Sequence, residues 1–499
     1  MTLEQALNKM NELQAAQHAY NHAMGVLSLD GDTAAPAASA RGRAETMGYL
    51  SGVTYQLLDN DEVKEVLETI LDNRDHVTPL QFRQAELMKE EYDDSVRIPM
   101  EEYVEFSSLV TKATAVWREA KEKDDYAAFA PYLEKIIAFN RKFAAYKDEK
   151  KPAYDVLLDG FEKGASMATL DPFFALLRER LSPVIKAVAE KPEPDTAFLH
   201  QIFPIQDQRV FSDRLMKMMG IPCDRCGIAE TEHPFTTNFN KWDVRITTNY
   251  CETDVADSMY SVIHEGGHAL YELGTANELQ FTNLAGGASM GLHESQSRFY
   301  ENIIGRSLPF CRALLPVMQE VFPAQMKGVS AEQLYAAVNR SKPSLIRTMS
   351  DELTYSMHIA IRYEMEKRMI SGEVKVDELP AMWNQMYKDS LGVTVPNDRE
   401  GILQDVHWAG GSLGYFPSYA LGSAYGVQML AAMEKEFNPW PDVEKGDFSR
   451  VTAWLGEKIH RYGKLMTPPE LLRNAIGTDF DPACYVDYLT RKFTALYSL

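Results

Sequence analysis

Apolar side chains recur at helical spacing along most of the chain. Leu3, Ala6, Leu7, Met10 and Leu13 begin the pattern, and Val104, Phe106, Val110, Ala113 and Val116 repeat it. Tyr132, Leu133, Ile136, Ile137 and Phe143 follow, then Leu170, Phe173, Phe174, Leu177 and Leu181. Positions three, four and seven apart share one helix face, so these side chains form buried stripes and the charged residues between them face water. Roughly the first 220 residues are therefore predicted to be helical, with Pro152, Pro183, Pro192, Pro194 and Pro204 at helix boundaries. At His233 the period changes to two. Residues 235–239 and 244–250 are predicted as short strands joined near Asn240-Lys241. Such a hairpin is either a structural support or an edge that holds an extended peptide. Helical spacing returns over residues 254–273, 289–304 and 308–391, and again through roughly the last 70 residues.

The predicted helix 254–273 carries a polar pattern inside an apolar frame. His264-Glu265-Gly-Gly-His268 has H-E-x-x-H spacing. Residues four apart lie on one helix face, so the two imidazoles can meet one ion, and Glu265 stays within reach of a water on it. Met259, Val262, Ile263, Ala269 and Leu270 predict burial, and a buried His-Glu-His group needs a metal or hydrogen bonds to compensate it. Gly266 and Gly267 each weaken a helix by about 1 kcal/mol, which implies close approach by a packed element or a substrate. A catalytic zinc keeps three protein ligands. The next helix offers His293, Glu294 and Glu301 for the third place. Glu294 is favoured, because a carboxylate about 25 residues past the second His is common in zinc peptidases. His293 and Arg298 then support the ligands or touch substrate, and Glu301 is expected to lie too far along the helix or to be exposed.

Composition narrows the partners. The net charge of −21 disfavours nucleic acid and anionic membranes. The first ten residues have neither a basic nor an apolar segment of the signal-peptide kind, and no run approaches transmembrane length. Five cysteines form a sparse, odd set that suits a reducing cytoplasm. Cys223-Asp-Arg-Cys226 lacks a second ligand pair and is read as two incidental thiols in a turn. No linker or repeat divides the 499 residues. A single domain over 1–499 is expected, with 1–230 as a helical lobe forming one groove wall, 231–425 as the catalytic core and 426–499 as C-terminal helices.

Two further stretches carry candidate chemistry. Arg347 and Asp351 stand four apart. They form either an intrahelical ion pair or an anion receptor whose guanidinium is held by an acidic neighbour. Residues 401–422 form a Gly-rich loop with His407, Tyr415 and Tyr419. These are donors suited to a developing oxyanion, or aromatics that pack a loop.

Six motifs stand in a fixed order: His233-Pro-Phe, Asp243-Val-Arg245-Ile-Thr, His264-Glu-Gly-Gly-His268, His293-Glu-Ser-Gln, Ile346-Arg-Thr-Met-Ser-Asp351 and Gly401-Ile-Leu-Gln-Asp-Val-His-Trp408. In these the chain resembles the Taq-type metallocarboxypeptidase family over essentially its whole length. Ser350 stands where many members carry Ala. The resemblance implies a mainly α fold, two-lobed around a deep groove, with a small β-sheet beside the zinc helix, as in the class of neurolysin and angiotensin-converting enzyme. It implies a homodimer and a zinc carboxypeptidase of broad specificity, with Co²⁺ as a possible substitute. His264, His268 and Glu294 would hold the metal, and Glu265 would be the general base. Tyr419 and His407 would donate to the oxyanion, with Tyr415 as a substitute. Arg245 and Arg347 would meet the substrate's C-terminal carboxylate, and His233 would contribute to substrate binding. An oligopeptidase cutting internal bonds is the alternative, and a catalytically silent peptide-binding scaffold the third reading.

Overall fold

Nine helices realise the spacing of the first half: α1 (Leu3–Thr33), α2 (Ala40–Leu58), α3 (Asp61–Leu71), α4 (Pro79–Arg97), α5 (Met100–Lys123), α6 (Tyr126–Asp148), α7 (Ala153–Phe161), α8 (Met167–Ala189) and α9 (Ile205–Met218). The structure is a computed structural model that describes residues 1–499. Three strands follow, β1 (Cys226–Glu230), β2 (Thr236–Asn240) and β3 (Asp243–Thr248). Then come α10 (Val255–Gly274), α11 (Met290–Arg298), α12 (Leu308–Val321), α13 (Ala331–Val338), α14 (Glu352–Ser371), α15 (Leu379–Leu391) and α16 (Pro417–Glu436). Four more close the chain: α17 (Trp440–Val443), α18 (Ser449–Lys458), α19 (Pro468–Ile476) and α20 (Pro482–Tyr497). The expected mainly α fold with a small sheet is what forms.

The hydrophobic interior is in two parts. A core of 93 residues runs from Ala113 on α5 to Tyr497 on α20. It crosses residue 230 without interruption, so the first lobe shares its interior with the rest of the chain. A separate core of 10 residues joins α1, α3 and α4 through Ala6, Met10, Val66, Ile70, Met88 and their neighbours. The long α2 buries no side chain at all. At the centre, α14 and α16 bury residues on every face, as helices surrounded by protein do.

Some local expectations change. Of the stripe on α5, Ala113 is buried and Val104 is exposed, because α5 packs mainly on α6 and leaves its N-terminal turns uncovered. Pro152 and Pro204 do precede helices, but Pro183 lies inside α8. The fully apolar face from Leu170 to Val188 offsets the lost backbone bond there, about 3 kcal/mol. The predicted hairpin is β2–β3, and β1 adds a parallel third strand in the order β1-β3-β2. Cys226 opens β1 and is buried, whereas Cys223 is exposed, and all five cysteines are free. No helix is long and apolar enough to cross a membrane.

Candidate metal centre and substrate cavity

Asp254 starts α10 by accepting the Ala256 and Asp257 amides at 3.0 and 3.3 Å, an N-cap that fixes the helix register. Gly266 and Gly267 both answer to packed elements, and a Cβ on Gly266 would stand 2.8 Å from the end of the Met219 side chain. A Cβ on Gly267 would stand 2.6 Å from the Gln296 carbonyl oxygen of α11. A Cβ on Gly422 of α16 would stand 2.7 Å from the Cβ of Glu294. Bare glycine backbones of α10 and α16 thus let both helices pack closely on α11. Its start is fixed by Ser289, which caps Leu292 N–H, and by the buried Glu162 of the first lobe, which accepts the Gly291 amide at 2.8 Å.

This packing brings His264, His268 and Glu294 together, each offering one ligand atom within 4.8 Å of the others. Glu294 Oε2 lies 3.8 Å from His264 Nε2 and 3.7 Å from His268 Nε2. A tetrahedral zinc with bonds of about 2.1 Å spaces its ligands by roughly 3.4 Å, so small movements would close the set. The other ring nitrogens are committed. His264 Nδ1 is 2.8 Å from Glu301 Oε2. His268 Nδ1 faces His293 Nδ1 at 2.5 Å, and His293 Nε2 is 2.7 Å from Glu272 Oε1. Such outer partners fix the imidazole tautomer and orientation that a metal requires. Arg298 Nε donates to Glu294 Oε1 at 2.7 Å, and its Nη1 to Glu301 at 3.2 Å. The donor set and its supports fit a divalent N/N/O site. Without a metal, burial opposes charge on His264, but Glu294 and Glu301 outweigh it and raise its pKa to about 9.

Glu301 stands outside the three-residue cluster, in keeping with its place further along the helix, but it is buried rather than exposed: at 9 % exposure it holds His264 and two arginines, Arg298 and Arg306. The chain leaves α11 through a π-helical segment, Phe299–Ile304, which carries Glu301. Glu272 was missed altogether. Its signal was present, since it follows His268 by four residues on the same helix face.

Glu265 is buried, and burial raises its pKa above the ordinary carboxylate range. Thr236 on β2 donates to Glu265 Oε2 at 2.6 Å. The hairpin thus orients this carboxylate, and β2 remains an edge strand.

A cavity of about 800 Å³ opens beside the triad, lined by His264, Glu265, Glu294, Arg347, Tyr355 and Tyr419 among others. A second space of about 710 Å³ is bordered by Asn238, Glu272 and His293. Arg347 differs from its expected setting. It lies in a 3₁₀ turn, Arg347–Met349, and Asp351 caps α14. Asp351 accepts from Ser341 and Thr354, so it does not pair with Arg347. The acidic neighbour is Asp405, which accepts from Arg347 Nε at 3.1 Å and Nη2 at 2.9 Å. Arg347 Nη1 donates to the Tyr355 hydroxyl at 3.0 Å.

The loop between α15 and α16 sets the remaining donors. Glu366 on α14 accepts the Trp408 indole N–H at 2.8 Å, the Gly414 amide at 2.9 Å and the Tyr154 hydroxyl. Burial raises its pKa to about 7. The loop so anchored places His407 Nε2 3.2 Å from the Tyr419 hydroxyl, with Tyr415 stacked on His407 at 5.5 Å. Burial lowers His407 to about 4 and raises Tyr419, so the imidazole is neutral and the phenol protonated at neutral pH. Two sequence candidates stand apart from the triad cavity. Arg245 alternates to the face of β3 opposite the core residues Val244 and Ile246, where it forms two 2.8 Å bonds to Asp243. His233 is exposed, although the next residue, Pro234, lines the cavity.

Residues 9–493 match the carboxypeptidase Taq (M32) metallopeptidase family. The chain is 42 % identical to carboxypeptidase 1 of Bacillus subtilis over 96 % of each sequence. It is 36 % identical to thermostable carboxypeptidase 1 of Pyrococcus furiosus, with 99 % of this chain and 98 % of the relative covered. The structure of the M32 carboxypeptidase from Deinococcus radiodurans superposes with a TM-score of 0.96 at 35 % identity, over 99 % of this chain and 100 % of that one. Together with the His-His-Glu cluster and its cavity, these likenesses establish that the chain belongs to the M32 family and is a metallocarboxypeptidase, an enzyme that removes amino acids from peptide C-termini.

Proposed function

We propose that the metal is zinc, that His264, His268 and Glu294 hold it, and that the enzyme takes peptides of broad side-chain type. Two imidazoles and one carboxylate, each oriented by a further hydrogen bond, support zinc, with Co²⁺ able to use the same donors. Bound there, zinc supplies Lewis acidity that polarises the scissile carbonyl and makes water acidic enough to ionise near neutral pH. Glu265 accepts the proton of the attacking water and returns it to the leaving amine. Its raised pKa and its hydrogen bond from Thr236 favour that exchange. The protonated Tyr419 hydroxyl, paired with His407, donates to the developing oxyanion, and Tyr415 backs His407.

The observation that carries the exopeptidase assignment is the free edge of Arg347. Asp405 takes Nε and one Nη2 proton, and Tyr355 takes one Nη1 proton. One N–H remains on each terminal nitrogen, the fork that a carboxylate accepts. Arg347 borders the same cavity as the triad. Arg245 and His233 lie outside the residues that line it and are assigned to the approaches of the groove. The unpaired edge of β2 is available to an extended peptide backbone. Five free cysteines support a cytoplasmic location, and a homodimer completes the proposal.

The test is a time course on a blocked tripeptide and its C-terminal amide, with and without a chelator. Stepwise loss of C-terminal residues from the free acid alone, abolished by chelation and restored by zinc, is the expected outcome. Internal cuts in the amide would replace this reading with an oligopeptidase.

A further inference from the structure

A second guanidinium stands behind Arg347, where no substrate reaches. Arg362 on α14 is fully buried, at 0 % exposure. Its Nε donates to Asp405 Oδ2 at 2.7 Å, and its Nη2 to the same oxygen and to Gln404 Oε1 at 2.8 Å. Its Nη1 donates to the His358 carbonyl at 2.9 Å and to the Tyr387 hydroxyl at 3.1 Å. Trp383 and Phe416 cover its plane, with centroids at 4.7 and 5.3 Å. Asp405 is therefore shared: Oδ1 takes Arg347 and Oδ2 takes Arg362.

The charges can be counted. Burial pushes His358 well below its ordinary value, and His407 lies near 4, so both are neutral at working pH. Lys121 is half-buried and bonds the Gln404 carbonyl at 2.8 Å. Its field is weakened by solvent screening. Glu366, one turn along α14 from Arg362, is raised to about 7 by burial and is largely protonated below that pH, with its oxygens committed to Trp408, Gly414 and Tyr154. Inside the hydrogen-bonded cluster two arginines then face one carboxylate, which leaves one net positive charge. Arg347 with Asp405 alone would be a neutral pair, and an arriving carboxylate would meet the field of Asp405 as well as that of Arg347. Both side chains of the pair are nearly enclosed, so that repulsion is screened less than it would be at the surface.

We propose that Arg362 is a positioning residue for C-terminal recognition: it neutralises Asp405, so that Asp405 can aim Arg347 without cancelling its charge toward the substrate's terminal carboxylate. The proposal rests on Arg347 as the carboxylate receptor. Arg362 touches neither substrate nor metal, and its effect passes wholly through Asp405 and Arg347.

A charge-compensated double variant separates this role from a structural one. The readout is the KM of a blocked tripeptide acid divided by the inhibition constant of its amide, alongside kcat and bound zinc. Arg362→Gln should lose about 10-fold or more of the acid preference, with kcat changed less than about threefold and zinc retained. Arg362→Gln with Asp405→Asn restores the single positive charge and should regain most of that loss. A merely structural Arg362 predicts a double variant at least as impaired as the single one. Undiminished acid preference in Arg362→Gln, or no recovery in the double variant, overturns the proposal. Where Arg362→Gln fails to fold, the double variant decides alone, because it leaves no buried carboxylate unpaired. Acid preference within about threefold of wild type then supports the charge count, and loss to the level of Arg347→Gln overturns it. Arg347→Gln is the control for the underlying reading. If it keeps the acid preference, the receptor assignment itself fails; if it loses the preference while Arg362→Gln does not, only the role of Arg362 fails.

Discussion

The metal end and the carboxylate end of the cavity are built in opposite ways. His264 and His268 share one face of α10 with Glu265 beside them, Glu294 lies on the next helix, and the supporting Glu272 and Glu301 follow one and two turns further along. The receptor end joins Arg347 from a 3₁₀ turn, Arg362 from α14 and Asp405 from a loop, with Asp405 58 positions after Arg347. The first is local helical geometry repeated on two adjacent helices. The second exists only when the turn and helix that carry the two arginines meet a loop far along the chain. On the proposed roles, the difference teaches that the chemistry of hydrolysis and the choice of the last peptide bond are held by different structural means, and so should be separable by substitution.

The largest expected effect tests that separation directly. Glu265→Gln should lower kcat by about 10³, within the general-base range, while KM for the free acid and bound zinc stay close to wild type. Loss of zinc in that variant would show that Glu265 also holds the metal, and the contrast would weaken. The next is Glu301→Gln. Removing the partner of His264 Nδ1 should weaken zinc binding by about 10- to 100-fold in a competition with a chromogenic chelator. The acid-over-amide preference should not move, and a parallel change would tie the two ends together.

The smallest effect lies at the receptor end and depends on pH. Folding raises the pKa of Glu366 from its ordinary 4.5 to about 7. The folded state therefore holds this proton more tightly than the unfolded chain does. Its contribution to stability is full below about 4.5, falls as pH rises, and is gone above about 7. Glu366→Gln cannot ionise. The Tm of wild type should fall by about 2 °C relative to that of this variant from pH 5 to pH 8. A gap independent of pH would mean that Glu366 does not titrate in this window, and that its hydrogen bonds alone anchor the loop.

The same contrast explains what could be read from the residues alone. H-E-x-x-H spacing is a rule about one helix, so His264, Glu265 and His268 were legible, and the next helix limited the third ligand to a short choice. The partners of Glu301 were not legible, because helix counting says where a residue lies but not what approaches it, and because the turn that carries it is π-helical. Arg347 and Asp351 looked like an intrahelical pair because their spacing fits one, yet the helix begins only after Asp351. Arg362 gave no signal. An arginine in an apolar helical run reads as a side chain that snorkels to water, and only the assembled core places it at 0 % exposure. In the fold, long periodic helices were clear. The five-residue β1 was too short to show its alternation, and nothing in the stripe of α5 announced that its first turns lack a cover.

The grip of Gly267 and Gly422 on α11 has a consequence for motion. Gly267 sets α10 directly on the α11 backbone, and Gly422 sets α16 on the first carbons of Glu294, so little soft side-chain material is left to shear. The slab formed by α10, α11 and α16 is then the stiff part of the molecule, and its amides should be among the last to exchange with deuterated water. Breathing of the groove must be taken up elsewhere, most readily by α1, α3 and α4, which have a small interior of their own. The groove can widen around a peptide while the spacing of the three ligands stays fixed.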